Sequence, residues 1–334
     1  MSDERILLGH GSGGRMMHRL IREVMAPAFD VSGFGDAALL AEAGPGRLAF
    51  TTDGYVVSPI FFPGGDIGDL AVNGTVNDLA VSGARPLALS AGFVLEEGLA
   101  LGELRQIVDS MARAAREAGV AIVAGDTKVV GRGSCDRLFI TTAGIGVVAP
   151  GRELSAQQIR PGDAVLLSGR CGSHGIAVMA ERNGLTFEPP VLSDTAALNG
   201  LVEAMFATGT AIRVMRDPTR GGVATTLKEF ALESGRRILV READIPVLPG
   251  VTGACDLLGL DPLYVANEGI LLAVAAPGDA PALLAAMRAH PRGRDAAIIG
   301  EVAREEDARV LLQTAAAGTR ILDMLPGEQL PRIC

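Results

Sequence analysis

Val76-Asn77-Asp78-Leu79-Ala80-Val81-Ser82-Gly83-Ala84 sets a carboxylate inside an apolar run whose spacing predicts a helix over 67–82. An acid among apolar neighbours is costly to bury unless it is paired or bound to a cation. A strand predicted over 87–95 follows at once, and a helix over 101–117 with apolar positions at Leu101, Leu104, Val108, Met111 and Ala115 comes next. Gly119 ends that helix. Further strands are expected at 6–8, 48–52, 120–124 and 138–148, with a helix over 15–26 behind a glycine-rich turn.

Ala149-Pro150-Gly151-Arg152 breaks the patterns on both sides and is read as a domain boundary. Beyond it, strands at 164–168, 237–240, 270–275, 297–302 and 310–313 alternate with helices at 174–182, 223–234 and 280–290. The class is mixed α/β, or α+β, in two domains, as 334 residues would suggest. The organisation is a glycine-rich lead-in and helix (1–34), an N-terminal domain (35–150), a C-terminal α/β domain (151–325) and a tail (326–334). With prolines at 326 and 331 and no periodicity, the tail is expected to be extended, flexible and poorly packed.

At 48% hydrophobic and 21% charged residues, the chain has material for two cores, which excludes long disorder. A net charge of −9 and a pI near 5.1 argue against nucleic acid as a partner. No apolar stretch is long enough to span a bilayer, and the acidic N-terminus is not a secretory signal. Cys135, Cys171, Cys255 and Cys334 are scattered without metal-ligand spacing, so reduced thiols in the cytoplasm are expected.

Aspartates recur at the ends of apolar runs: Asp36 in Gly35-Asp36-Ala37, Asp53 in Thr52-Asp53-Gly54, Asp126 in Gly125-Asp126-Thr127-Lys128 and Asp217 in Asp217-Pro218-Thr219-Arg220-Gly221-Gly222. Each taken singly can be a turn or cap residue. As a set with Asp78, bracketed by Gly, Asn or Thr, they suggest a hard-oxygen site for Mg²⁺ and nucleotide phosphates. Lys128, one of only two lysines, is either a phosphate counter-charge or a surface residue. Glu268, in Asn267-Glu268-Gly269, is either a turn carboxylate or a general base. Gly9-His10-Gly11-Ser12-Gly13-Gly14 fits a dinucleotide-binding turn, a phosphate-covering lid or a flexible lead-in; no Walker A motif is present. Cys334 closes the sequence in Pro331-Arg332-Ile333-Cys334 and is read as a substrate-carrying thiol.

These segments together, from the glycine-rich turn through Asn77–Ala84, Gly125–Val129, the Asp217 motif and the terminal Pro-Arg-Ile-Cys, resemble the HypE family of hydrogenase-maturation carbamoyl dehydratases, essentially end to end. The aspartate motifs are similar to those of the wider superfamily of aminoimidazole ribonucleotide synthetase, selenophosphate synthetase and thiamine monophosphate kinase; the terminal motif selects among them. Asp36 departs from the pattern, because many relatives carry two adjacent acids there.

The resemblance implies the two-domain synthetase-like fold, with N-terminal sheets of two subunits pairing into a β-barrel as a homodimer. It implies ATP and Mg²⁺ as cofactors: Gly11, Ser12, Gly13, Gly14, Asn77, Asp126, Thr127 and Arg220 on the nucleotide, and Asp36, Asp53, Asp78 and Asp217 on the metal, with Asp126 close by. Cys334, Glu268 and Lys128 would be catalytic. The implied reaction is ATP-dependent dehydration of a carbamoyl group on Cys334 to S-thiocyanate, which supplies cyanide to the iron of [NiFe]-hydrogenase. The implied partners are the carbamoyltransferase HypF and a HypC–HypD scaffold, with no membrane or nucleic acid. Alternatives are another synthetase or kinase of the superfamily acting on a free substrate, or a nucleotide-gated protein whose tail only docks. The first would tolerate loss of Cys334; the second would not consume ATP.

Overall fold

The protein is described here by a computed structural model covering residues 5–11, 15–31, 40, 44–325, 327, 330 and 332–334. Ser12, Gly13, Gly14 and Asp36 lie outside the described residues.

The chain enters through α1 (Arg15–Leu20), a wide turn at Ile21–Met25 and α2 (Ala26–Phe29). A single helix was expected here; Pro27 has no N–H to give the preceding turn, and the helix widens just before it. The strand expected at 6–8 is only a bridge from Arg5 to Ala100, and Leu8–Gly11 turns away as a short helix.

The first domain is built on β1 (Arg47–Tyr55), the short hairpin β2 (Phe61–Phe62) and β3 (Gly65–Asp66), α3 (Ile67–Val81), β4 (Ala84–Glu96), α4 (Leu101–Ala118), β5 (Ala121–Val130) and β6 (Leu138–Val148). Its four-stranded sheet has the order β1-β6-β4-β5, antiparallel except for the β4–β5 pair that α4 connects. A capping box starts α3: Asp66 accepts from the amides of Gly68 and Asp69, and Asp69 returns the bond. Nearly every residue of α3 is buried, because its sequence is apolar all round and it lies between the sheet and the second domain. Its few polar side chains must therefore find partners inside the protein.

The second domain comprises β7 (Ala164–Leu167), α5 (Ser173–Asn183), α6 (Asn199–Phe206), β8 (Ile212–Arg216), α7 (Gly222–Ser234), β9 (Ile238–Arg241), α8 (Pro249–Leu258), β10 (Leu272–Ala275), α9 (Ala280–Ala289), β11 (Ala297–Val302), β12 (Val310–Gln313) and β13 (Thr319–Leu322). Its seven-stranded sheet runs β13-β12-β9-β11-β7-β10-β8, so among the described residues the two domains exchange no strand. β8, α6, α8 and β13 were not anticipated; all are short, and periodicity over so few residues is a weak signal.

Candidate active site

β1 and α3 bring the first acids together. Asp53 is inside β1, which runs to Tyr55 rather than ending at residue 52, and its Oδ2 accepts from Thr75 Oγ1 on α3 at 3.3 Å. Thr51 Oγ1, on the same face of β1, donates to Asp78 Oδ2 at 2.7 Å. Asp217 follows directly on β8. Burial, and then the charge of Asp53, push Asp78 up to about 6. Burial and the charge of Asp78 push Asp217 up to about 7, with Arg216 offsetting only part of it. Three of the four acids expected at a metal therefore share one field, and Asp78 and Asp217 hold protons near neutrality because they are dry and crowded by neighbouring charge.

Glu268 completes this cluster from the second domain. It is 3% exposed, and its Oε1 has no hydrogen-bond partner among the described residues. Burial first, then Asp217, Asp194, Asp53 and Asp78, raise it well above the carboxylate range. Its main chain is held from three sides. Asp194 accepts from the amides of Glu268 and Gly269 at 3.2 and 3.0 Å. Asn267, fully buried, accepts from Gly172 N and donates to the carbonyls of Pro218 and Val265. Asn77 Nδ2 donates to the carbonyls of Ala196 and Glu268, while its Oδ1 accepts from Leu198 N. Asn77, expected on the nucleotide, thus spends its whole amide tying α3 to the second domain.

The tail docks beyond the end of β1. Val56 N donates to the carbonyl of Cys334 at 3.2 Å and Ser58 N to that of Arg332 at 3.3 Å, so the chain end lies along the continuation of β1, beyond Asp53 and Tyr55. Arg182 donates to the carbonyls of Ser58 and Arg332, and Arg332 forms an ion pair with Asp136. Ile333 is 2% exposed and lines a cavity of about 410 Å³ with Arg220, Tyr264, Ala266 and Leu330. A poorly packed tail was expected. The last residues are instead packed, because Ile333 supplies an apolar anchor and the main-chain carbonyls find donors.

The AIR synthase related protein families match this chain over 34–148 for the N-terminal domain and 160–313 for the C-terminal domain. Carbamoyl dehydratase HypE of Cupriavidus necator is 55% identical over 99% of this chain and 95% of its own length. The Escherichia coli protein of the same name is 46% identical over 98% and 99%. The chain belongs to the HypE family of carbamoyl dehydratases. A crystal structure of HypE in complex with ATP superposes with a TM-score of 0.94 at 50% identity, covering 98% of this chain and 99% of that one. A HypE–HypF complex superposes at 0.81 with 50% identity, covering 92% and 99%. The two-domain mixed α/β fold is thus that of the HypE family.

The remaining family positions collect elsewhere. Asp126 and Lys128 stand within β5, not at a strand end as expected, and pair with each other at 2.7 Å in solvent. The ion pair holds the Asp126 carboxyl below its usual range. Strand register runs from Asp53 through Thr142 and Ala91 to Gly125, so Asp126 lies three strand spacings from Asp53, on the order of 14 Å. Within one chain Asp126 is therefore not beside the other acids. Gly11 packs on β5, where a Cβ would come within 2.5 Å of Val129 N. A cavity of about 440 Å³ opens nearby, lined by His18, Arg22, Phe93, Asp126 and Thr127 among others.

Among the described residues no three His, Cys, Asp or Glu side chains already form a metal-holding group, and no helix is long and apolar enough to cross a membrane. Sequence reading missed Thr51, Tyr55, Thr75, His174, Asp194 and Asn267. All but Tyr55, whose hydroxyl meets Asp53 two residues before it, act through partners distant in the chain, and only the Asn next to Glu268 carried a local hint.

Proposed function

We propose that this chain turns an S-carbamoyl group on Cys334 into S-thiocyanate at the expense of ATP, in the cytoplasm, where reduced thiols persist. The observation that carries this reading is the seating of Arg332, Ile333 and Cys334 along the continuation of β1, the strand that carries Asp53. The tail of a mere docking peptide would need no buried acids beside it.

The carbamoyl oxygen is a poor leaving group. Transfer of the γ-phosphoryl group onto it, with release of ADP, makes it a good one. Loss of the two N–H protons and cleavage of the C–O bond then leave thiocyanate and phosphate. Glu268, in its ionised form, takes an amide proton: its Oε1 is out of water and lacks a donor, and a carbamoyl N–H supplies one. Lys128 of the same chain lies along the far edge strand, which leaves Glu268 as the main proton acceptor.

Asp53, Asp78 and Asp217 would hold Mg²⁺, and they fit it: they are hard oxygen donors whose mutual repulsion Arg216 relieves only in part. When bound, the ion neutralises phosphate charge. Gly11, Asp126 and Thr127 line or adjoin a cavity of a size suited to a small molecule and are assigned to the nucleotide, with Arg220 across the tail groove. Ser12, Gly13, Gly14 and Asp36 keep the roles their motifs imply. HypF would load Cys334, and a HypC–HypD scaffold would accept the cyanide.

Mass analysis of the tail tests the reaction. After carbamoyl loading and ATP addition, the tail peptide should lose the mass of one water; an unchanged mass refutes the dehydration. Cys334→Ala should abolish loading.

A further inference from the structure

We propose that His174, through Ser193 and the adjoining Asp194, is a positioning residue that locks the docked tail and sets Glu268 in the same movement. The inference rests on the reading of Glu268 and Cys334 given above.

His174 is the second residue of α5 and is fully buried, edge-on to the ring of Phe62. Its Nε2 is 2.9 Å from the carbonyl oxygen of Ile333. A carbonyl only accepts, so Nε2 carries the hydrogen. Nδ1, 2.8 Å from Ser193 Oγ, is then the bare nitrogen and accepts from that hydroxyl. Burial keeps the ring neutral, pushing His174 down to about 4, and only a neutral ring can play both parts. Ser193 Oγ in turn accepts from Thr195 N at 3.1 Å, which orients its hydrogen toward the ring.

The next residue makes the connection. Asp194 accepts from the main-chain amides of His174, Glu268 and Gly269. Gly269 is needed for this approach, since a Cβ there would collide with the Asp194 carbonyl. The 193–195 loop is also fixed to the first domain, through Ser193 N to Pro63 O at 2.8 Å and Asn73 Nδ2 to Thr195 Oγ1 at 3.1 Å. One rigid loop therefore grips the tail through an imidazole and the Glu268 backbone through a carboxylate. With the tail withdrawn, Nε2–H loses its acceptor in a dry site, and the loop loses one of the restraints that hold it in place.

The test uses the full chain without ATP or a carbamoyl group, so its outcome is independent of the dehydration reaction. Release of Cys334 by a carboxypeptidase, read by mass, reports docking. His174→Ala should speed release roughly tenfold, the effect of losing one hydrogen bond to a buried carbonyl. His174→Gln, whose amide can still donate to Ile333, should restore most of the protection. Amide hydrogen exchange at Glu268 and Gly269 reports the coupling. A chain lacking residues 332–334, with His174 intact, should exchange those two amides several-fold faster. Equal release from a folded His174→Ala protein and the parent overturns the lock, and so does a folded His174→Gln protein that releases Cys334 about ten times faster than the parent. Unchanged exchange at Glu268 and Gly269 after tail removal overturns the coupling. If docking and exchange behave as stated while the tail mass never changes with ATP, the failure belongs to the proposed reaction instead.

Discussion

The side-chain amide of Asn77 donates to the main-chain carbonyl of Glu268 across 3.2 Å, so a helix of the first domain fixes the height of an acid in the second. Replacing Asn77 with Ala strands the Ala196 and Glu268 carbonyls and the Leu198 amide in a buried seam. A loss of about 3 kcal/mol is expected from unfolding in denaturant, since each stranded group costs about 1–3 kcal/mol. Asn77→Asp should be worse, because a carboxylate cannot donate and adds charge to an acidic cleft.

Glu268→Gln should separate stability from activity. Removing a dry acid crowded by Asp217, Asp194, Asp53 and Asp78 should raise the melting temperature. Single-turnover dehydration of preloaded protein should fall by about 100-fold or more, the usual worth of a positioned base. Normal turnover would remove Glu268 from that role.

The acids also fix the direction of the pH response. Asp217, Asp69 and Asp78 are raised to about 7, 7 and 6, so the folded chain binds more protons than the unfolded chain between about pH 4 and 7. Their contribution is full below the unfolded carboxylate range and is lost as pH rises through the folded values. His174, lowered to about 4, works the other way, favouring folding above its unfolded range and losing that contribution as pH falls toward 4. Urea midpoints with and without Asp217→Asn isolate one acid: the variant's gain over the parent should grow from about pH 5 to about pH 8. A constant difference would contradict the shift.

A cation seated on Asp53, Asp78 and Asp217 must displace the protons that Asp78 and Asp217 hold near neutrality. Titration of Mg²⁺ with ATP, repeated in buffers of different ionisation heat, should show net proton release near pH 6.5, about midway between the two raised values. Asp78→Asn should reduce that release and weaken binding; equal heats in both buffers would place the cation elsewhere.

On β1, Leu48 and Phe50 are 71% and 70% exposed on one face of an edge strand, the row that a β-barrel shared by two subunits would cover. Phe50→Asp should shift the species seen by sedimentation from dimer to monomer. A parent protein that is already monomeric would refute the shared barrel.

The acids were legible because carboxylates embedded in apolar runs are rare and expensive, as Asp78 in α3 and Glu268 before β10 illustrate. Their separation from Asp126 was not legible. Local pattern yields strands but not their order, and the β1-β6-β4-β5 order puts Asp53 and Asp126 at opposite edges. The tail was misjudged for a related reason: prolines describe stiffness, whereas the partner of the Ile333 carbonyl lies 159 residues away. Asp194 and His174 lack any neighbour in sequence that would mark them.

Every hydrogen bond described for the docked tail other than those of the Arg332 side chain is made to a main-chain carbonyl: Val56 to Cys334, Ser58 and Arg182 to Arg332, His174 to Ile333. None of these bonds reads the sulfur. The main-chain share of the grip is therefore the same for thiol, thiocarbamate and thiocyanate, and these bonds by themselves do not sort a spent arm from a loaded one. In such a cycle they act as a vise, and direction comes from the irreversible use of nucleotide.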